Sequence, residues 1–396
     1  MMHRSDSVRR MWLALCALCF AAALSGCAAK IKNQTELVFW PPAPSYPRIQ
    51  FLKSINGDYD VVDPKKGMAL LTIGDQAASK LNPFIKPNGV GVRDGKIYVC
   101  DPGRSTVFIM DLEKQTFESL PGNKNLGALN KPMNLAFDDE GNLYVADVNR
   151  REIVVYSAQG QYIGAMGRSL DLKPTAVGVD GDFVYVSDLL HSDIKVLDRN
   201  TGEMLDSIGR DAADYRDQLS VPANLTVDEQ GFIHVTNIGT GRIVTLDRDG
   251  HVVRAFGRMG TNFANFGRPK GIAVDHQGQA YIVDAAHQNV QIFNDEGRLL
   301  MYFGGADALA GSMNLPAGIA VTRDNLDYYQ TLASPDFELE SVLLVTNHFG
   351  DNRLGVYGIG KLRGVDYEKE YQAVRKELEE MARKEKERRA AEQKSE

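Results

Sequence analysis

Disulfides cannot hold this chain together. Three of its four cysteines, Cys16, Cys19 and Cys27, sit in or beside one N-terminal apolar run, and Cys100 has no partner in the remainder. Stability therefore has to come from core burial, which a chain of 396 residues can supply. Bilayer-spanning runs are missing too: the one uncharged stretch of note, residues 11–26, is too short and too alanine-rich for a membrane helix. Beyond it there is no C-x-x-C, no haem-attachment C-x-x-C-H, no G-x-S-x-G and no phosphate loop. Redox chemistry on a covalently held haem, nucleophilic acyl transfer and nucleotide hydrolysis thus have no support, and no cofactor is expected. Nor is there an excess of positive charge. With 45 Lys and Arg against 52 Asp and Glu, the net charge of −7 argues against nucleic acid or another polyanion as the main partner, leaving room only for a local basic patch.

What the chain does have is repetition. Residues 268–304, RPKGIAVDHQGQAYIVDAAHQNVQIFNDEGRLLMYFG, hold four short apolar runs at 271–274, 279–283, 290–293 and 299–303, separated by Asp/Asn/Gly turn clusters. Such runs read as an antiparallel meander of four strands. Comparable units open at Pro87, Pro132, Pro174, Pro222, Pro269 and Pro316, at spacings of 45, 42, 48, 47 and 47 residues. The first strand recurs as GVGV, NLAF, AVGV, NLTV, GIAV and GIAV, and the second as IYVCD, LYVAD, VYVSD, IHVTN, YIVD and LLVTN. Six copies at this period predict an all-β, six-bladed β-propeller. The consensus resembles that of the NHL-repeat propellers, and the resemblance covers roughly residues 47–360. It implies the fold and is almost silent on function, because this architecture hosts enzymes, binders and scaffolds.

The N-terminus reads as an export signal. Arg4, Arg9 and Arg10 precede the apolar run, which closes on Leu24-Ser25-Gly26-Cys27. That tetrapeptide looks like a bacterial lipobox, which implies cleavage before Cys27 and diacylation of its thiol. Ala28 follows in place of the Asp that retains lipoproteins at the inner membrane, so the resemblance implies outer-membrane sorting. Loss of residues 1–26 removes three arginines and one aspartate, taking the formal charge from −7 to −9.

The expected organisation is a signal peptide over 1–26, a lipidated tether and proline-rich arm over 27–47, a propeller over 48–360 and a charged C-terminal helix over 361–396. Pro41, Pro42, Pro44 and Pro47 make the arm extended, with Phe39, Trp40 and Tyr46 expected to dock it on the propeller wall. Residues 48–56, RIQFLKSIN, resemble the fourth strands of other units, whereas the last unit lacks one. The N-terminal strand is therefore expected to complete the final blade and remove its exposed edge. Two insertions, 58–86 with a short helix and 325–340 with Tyr328, Tyr329 and Phe337, are expected to decorate the rim. In the tail, Tyr367, Tyr371, Val374, Leu378 and Met381 form a narrow apolar seam predicted to lie on the propeller.

Each second strand ends in an acid or amide: Asp101, Asp147, Asp188, Asn237, Asp284 and Asn347. The stronger reading is structural, because such side chains accept hydrogen bonds from the backbone of the turn they start. The links that follow carry Arg104, Arg150, Arg151, His191, Arg242, His287, His348 and Arg353, which define a candidate binding face. Two metal arrangements are weaker alternatives. His191, His287 and His348 share a face and resemble the His-lined zinc site of propeller lyases. Asn134 and Asn224 begin first strands beside the axis, where lactonase-type propellers hold calcium. The sequence thus points to a lipid-anchored binding platform in the bacterial envelope rather than an enzyme. A protein or peptide partner is expected, in an assembly or electron-transfer system by analogy, with a metal-dependent lyase or lactonase as the alternative.

Overall fold

The computed structural model describes residues 37–63, 82–306 and 309–369, with scattered positions of a helical segment up to residue 384. The signal, Cys27 and all but residues 82–84 of the stretch 67–84, where the short helix is expected, lie outside the described residues. Five four-stranded antiparallel sheets and one five-stranded sheet make up the six blades. The opening unit forms the fifth blade, with strands Pro269–Val274, Ala280–Asp284, Asn289–Phe293 and Leu299–Gly304.

Second and third strands are apolar at nearly every position because both of their faces are covered. Blade two illustrates this. Along Leu143–Asp147, Leu143 and Val145 face Val107 and Ile109 of blade one, while Tyr144 and Ala146 face Val177 and Val184 of blade three. Alternation therefore sends successive side chains into successive joints. The same logic produces six buried clusters among the described residues, one at each joint between neighbouring blades. Each fully buried aliphatic side chain stabilises by about 1.5–3 kcal/mol, so every joint outweighs any single polar contact. Outer strands have water on one side, and Tyr162–Met166 accordingly alternates half-buried with exposed positions.

A second device recurs at the opposite end of the blades. The aspartate opening the first turn accepts a hydrogen bond from the second strand six residues on: Asp138 from Tyr144 at 3.1 Å and Asp275 from Tyr281 at 2.8 Å. In blade four the imidazole of His234 replaces the phenol, with Nε2 2.7 Å from Asp228.

Ring closure follows the expected route. Strand Ile49–Ile55 pairs antiparallel with Leu354–Leu362, with Ile49 opposite Ile359 and Ile55 opposite Leu354. Both chain ends thus build blade six. The arm goes further than an extended tether, since Phe39–Trp40 pairs with Ile49 and Gln50 as a fifth strand. Two residues suffice because aromatic packing holds them: Trp40 lies 5.8 Å from Phe303 and 6.0 Å from Tyr357, and Phe39 lies 5.5 Å from Phe337.

The insertion at 325–340 forms the short helix Leu326–Gln330 and buries Tyr329 against the joint of blades six and one. The tail behaves differently from expectation. Tyr367 docks, but Tyr371 is 62% exposed and Met381 51% exposed, so those two seam positions do not lie on the propeller. Tyr367 sits on Pro47, Tyr46 and Arg48. Among the described residues no helix is long and apolar enough to cross a membrane.

Candidate functional site

Function in this ring has to be sought where inner strands and their loops converge. On one face, which we call the lead-in face, the loops leading into each blade meet the links between second and third strands. The strand-end acids and amides organise it. All six side chains are fully buried. Asp147 accepts from the backbone N–H groups of Asn130, Lys131, Asn149 and Arg150. Asp284 accepts from Gly267, Arg268, Ala286 and His287. Asp101 serves Ile85, Lys86 and Gly103, and Asp188 serves Lys173 and Leu190. In Asn237 and Asn347 the amide oxygen accepts in the same way, while the nitrogen donates to Gln218 O and Asn352 O. Each side chain therefore fixes the loop that leads into its blade, and all but Asn237 also hold their own link.

The basic residues of the links are largely absorbed by the same scaffold. Arg104 donates to Pro83 O, and Arg150 to Glu152 and the carbonyls of Leu126 and Ala128. Arg151 pairs with Asp171, Arg242 with Asp217 at 2.7 Å, and Arg353 reaches the carbonyls of Ile85 and His348. These guanidinium groups tie loops together.

The three histidines are not brought together. His191 and His287 each pair through Nδ1 with the strand-end aspartate of their own blade, Asp188 and Asp284. His348 Nε2 lies 2.9 Å from Asn88 Oδ1. Among the described residues, the one group of three His/Asp/Glu side chains with ligand atoms within 4.8 Å of one another is Asp247, Asp249 and His251. It forms the third-to-fourth turn of blade four, where Asp247 caps the N–H groups of the other two.

Asn134 and Asn224, two blades apart, meet at 3.4 Å, and Asn134 Oδ1 also accepts from Val177 N. Around them adjacent inner strands touch backbone to backbone: a Cβ on Gly318 would fall 2.1 Å from Asn88 O, and one on Gly89 2.7 Å from Asn134 Cα. Glycine at these positions is a packing requirement. A cavity of about 340 Å³ lies at one end of the axis, walled by Val92, Phe137, Val179 and Val227 among others.

The mouth on the lead-in face is chemically different. Its cavity of about 410 Å³ is lined by Lys86, Lys131, Arg268, Lys270 and His348, with Met133, Leu315 and Phe349 as apolar wall. No carboxylate lines it. Lys86, Lys131 and Arg268 occupy one repeat position, the residue before the blade-opening proline, and each is fixed by the backbone hydrogen bond to the aspartate beneath. Lys173 holds the equivalent place in blade three. Lys270 is half-buried, and burial, reinforced by the charges of Arg268 and Lys86, lowers its pKa to about 8. Burial and the same cations, Lys270 foremost among them, lower His348 to about 3, so its imidazole is neutral at physiological pH. Asn88 donates through Nδ2 to Met133 O, which leaves its Oδ1 to accept from His348 Nε2–H. Four cations around a neutral imidazole make this mouth electrostatically hostile to a metal cation. Sequence reasoning used the prolines to index the repeat and passed over the residue in front of them; KP, KP, KP, VP, RP and LP was the available signal.

Cys100, the one cysteine among the described residues, is buried, and its thiol pKa is pushed up first by burial and then by Asp147 and Asp101. It is a packing residue of the joint between blades one and two.

No family profile and no curated protein sequence matches the chain. Solved structures do. A structural-genomics protein from Bacteroides thetaiotaomicron shares 16% identity over 72% of each chain, with a TM-score of 0.53. An auxiliary nutrient binding protein from the same organism shares 12% identity over 70% of each chain, with a TM-score of 0.51. A virginiamycin B lyase from Staphylococcus aureus shares 14% identity over 70% of this chain and 96% of its own, at a TM-score of 0.48. At these identities the first two show the propeller fold and nothing of the chemistry.

Proposed function

We propose that this protein is a membrane-tethered propeller of the NHL-repeat type that binds a partner in the bacterial envelope. The tether is the lipid that the Leu24–Cys27 tetrapeptide would place on Cys27, sorted to the outer membrane by Ala28. The observation that carries the binding role is the lead-in face: its loops are locked by buried strand-end carboxylates, and around a concave mouth it presents cations that have no ion pair among the described residues, on a chain of net charge −7. Rigid loops on a rigid scaffold favour recognition, because little ordering entropy is lost on docking. A protein or peptide partner fits this reading, and a cytochrome of an electron-transfer assembly is one such partner by analogy.

The test is crosslinking and capture from detergent-solubilised membranes, with metal measured on the same sample. A stoichiometric partner lost from a Lys86→Glu/Lys131→Glu variant, without bound metal, supports the platform. Tightly bound calcium or zinc with no partner would instead favour a lyase- or lactonase-type enzyme.

A further inference from the structure

We propose that the axial mouth of the lead-in face is a binding site for an organic anion, a phosphate- or carboxylate-bearing small molecule with an apolar portion. The proposal deepens the partner-binding reading by sharing its face, yet it is read with pure small molecules, so either can fail alone.

Three features of the mouth point to this ligand. First, Lys86, Lys131, Arg268 and Lys270 come from three blades and converge on one cavity, and none of them has an ion pair among the described residues. Unneutralised like charges repel one another and cost stability, which is the arrangement expected where an anion supplies the missing charge. Second, the cavity of about 410 Å³ falls within the range of small-molecule sites. Third, blade six adds apolar surface to its rim: Phe349 is 50% exposed and Leu315 37% exposed, and Met133 lines the cavity from blade two. Cations interleaved with aromatic and aliphatic side chains match a ligand with an anionic head and an apolar body.

The surrounding charges set the protonation. Asp101, Asp147 and Asp284 lie beneath the loops, but each is engaged by backbone N–H groups and none lines the cavity. His348 is neutral and donates to Asn88, so it contributes shape and not charge. Lys270 is the titrating cation, lowered to about 8 by burial, Arg268 and Lys86. A bound anion favours its ammonium form, so affinity is expected to hold below pH 8 and to fall as pH rises through the value for Lys270.

The experiment is calorimetric titration of the full-length, detergent-solubilised protein with inorganic phosphate, citrate and hexyl phosphate at constant ionic strength. Saturable binding is expected, with hexyl phosphate tighter than inorganic phosphate. Lys131→Ser and Lys270→Met should each weaken it about tenfold or more, the size of one charge-assisted contact. Phe349→Ala should remove the preference for the alkyl chain and leave citrate unchanged. Lys96→Ser, at the start of the second strand of blade one and away from the mouth, is the control for bulk charge. The proposal is overturned if none of the three anions saturates. It is equally overturned if folded Lys131→Ser and Lys270→Met bind like wild type, or if Lys96→Ser loses as much as they do. Melting curves on each variant separate lost binding from lost folding.

Discussion

His348 Nε2 and Asn88 Oδ1 meet at 2.9 Å across the joint where the last blade closes onto the first. One contact thus lies in the seam of the ring and on the wall of its basic mouth. Its imidazole is lowered to about 3 by burial and by Lys270, Lys86, Arg268 and Arg353. The folded state then binds fewer protons than the unfolded one between that value and the ordinary 6.5. Stability from this group is present above pH 6.5 and is lost as pH falls toward 3, with a slope of at most about 1.4 kcal/mol per pH unit. Melting temperatures between pH 7 and 4 should therefore decline more steeply in wild type than in His348→Gln, the carboxylates contributing equally to both.

Removing one strand-end carboxylate should loosen two loops at once. Asp147→Ala leaves the N–H groups of Asn130, Lys131, Asn149 and Arg150 without their acceptor. A loss of about 3 kcal/mol is expected in urea unfolding, with Asp147→Asn recovering part of it.

The ring should be intolerant of volume at its inner seam and tolerant outside. Gly318→Ala places a Cβ 2.1 Å from Asn88 O, whereas Gly164→Ala meets nothing within 4 Å. The first is expected to cost more than about 2 kcal/mol and the second less than about 0.5 kcal/mol, read by thermal denaturation.

Closure by the N-terminal strand predicts a similar contrast. Ile49 is fully buried between blades five and six, while Ile163 on an outer strand is 56% exposed. Ile49→Ala should cost about 3 kcal/mol and Ile163→Ala almost nothing. Deleting residues 48–56 should lower the melting temperature sharply.

Anchoring is checked by fractionation. Cys27→Ala is expected to move the protein from the membrane pellet to the soluble fraction, since a lipid on that thiol would supply the attachment.

Much of this was written in the chain. Strand positions, the six-fold repeat and the use of residues 48–56 to finish blade six follow from local alternation and turn chemistry, which a sequence displays directly. The strand-end acids were legible as turn caps for the same reason: their partners lie within two or three residues, although the lead-in loops they also hold lie 15–17 residues back. The contacts of the link arginines were not legible. Arg150, Arg242 and Arg353 look free in sequence, and only folding shows that loop carbonyls and acids use them. The apolar seam of the tail suggested a docked helix, yet of its described positions only Tyr367 meets the propeller, Tyr371 and Met381 being exposed. Above all, Lys86, Lys131, Arg268 and Lys270 are scattered over three blades, and nothing local says that they face one another. Repetition determines the strands by short-range physics; which loop side chains then face one another across the axis is decided by the tertiary structure.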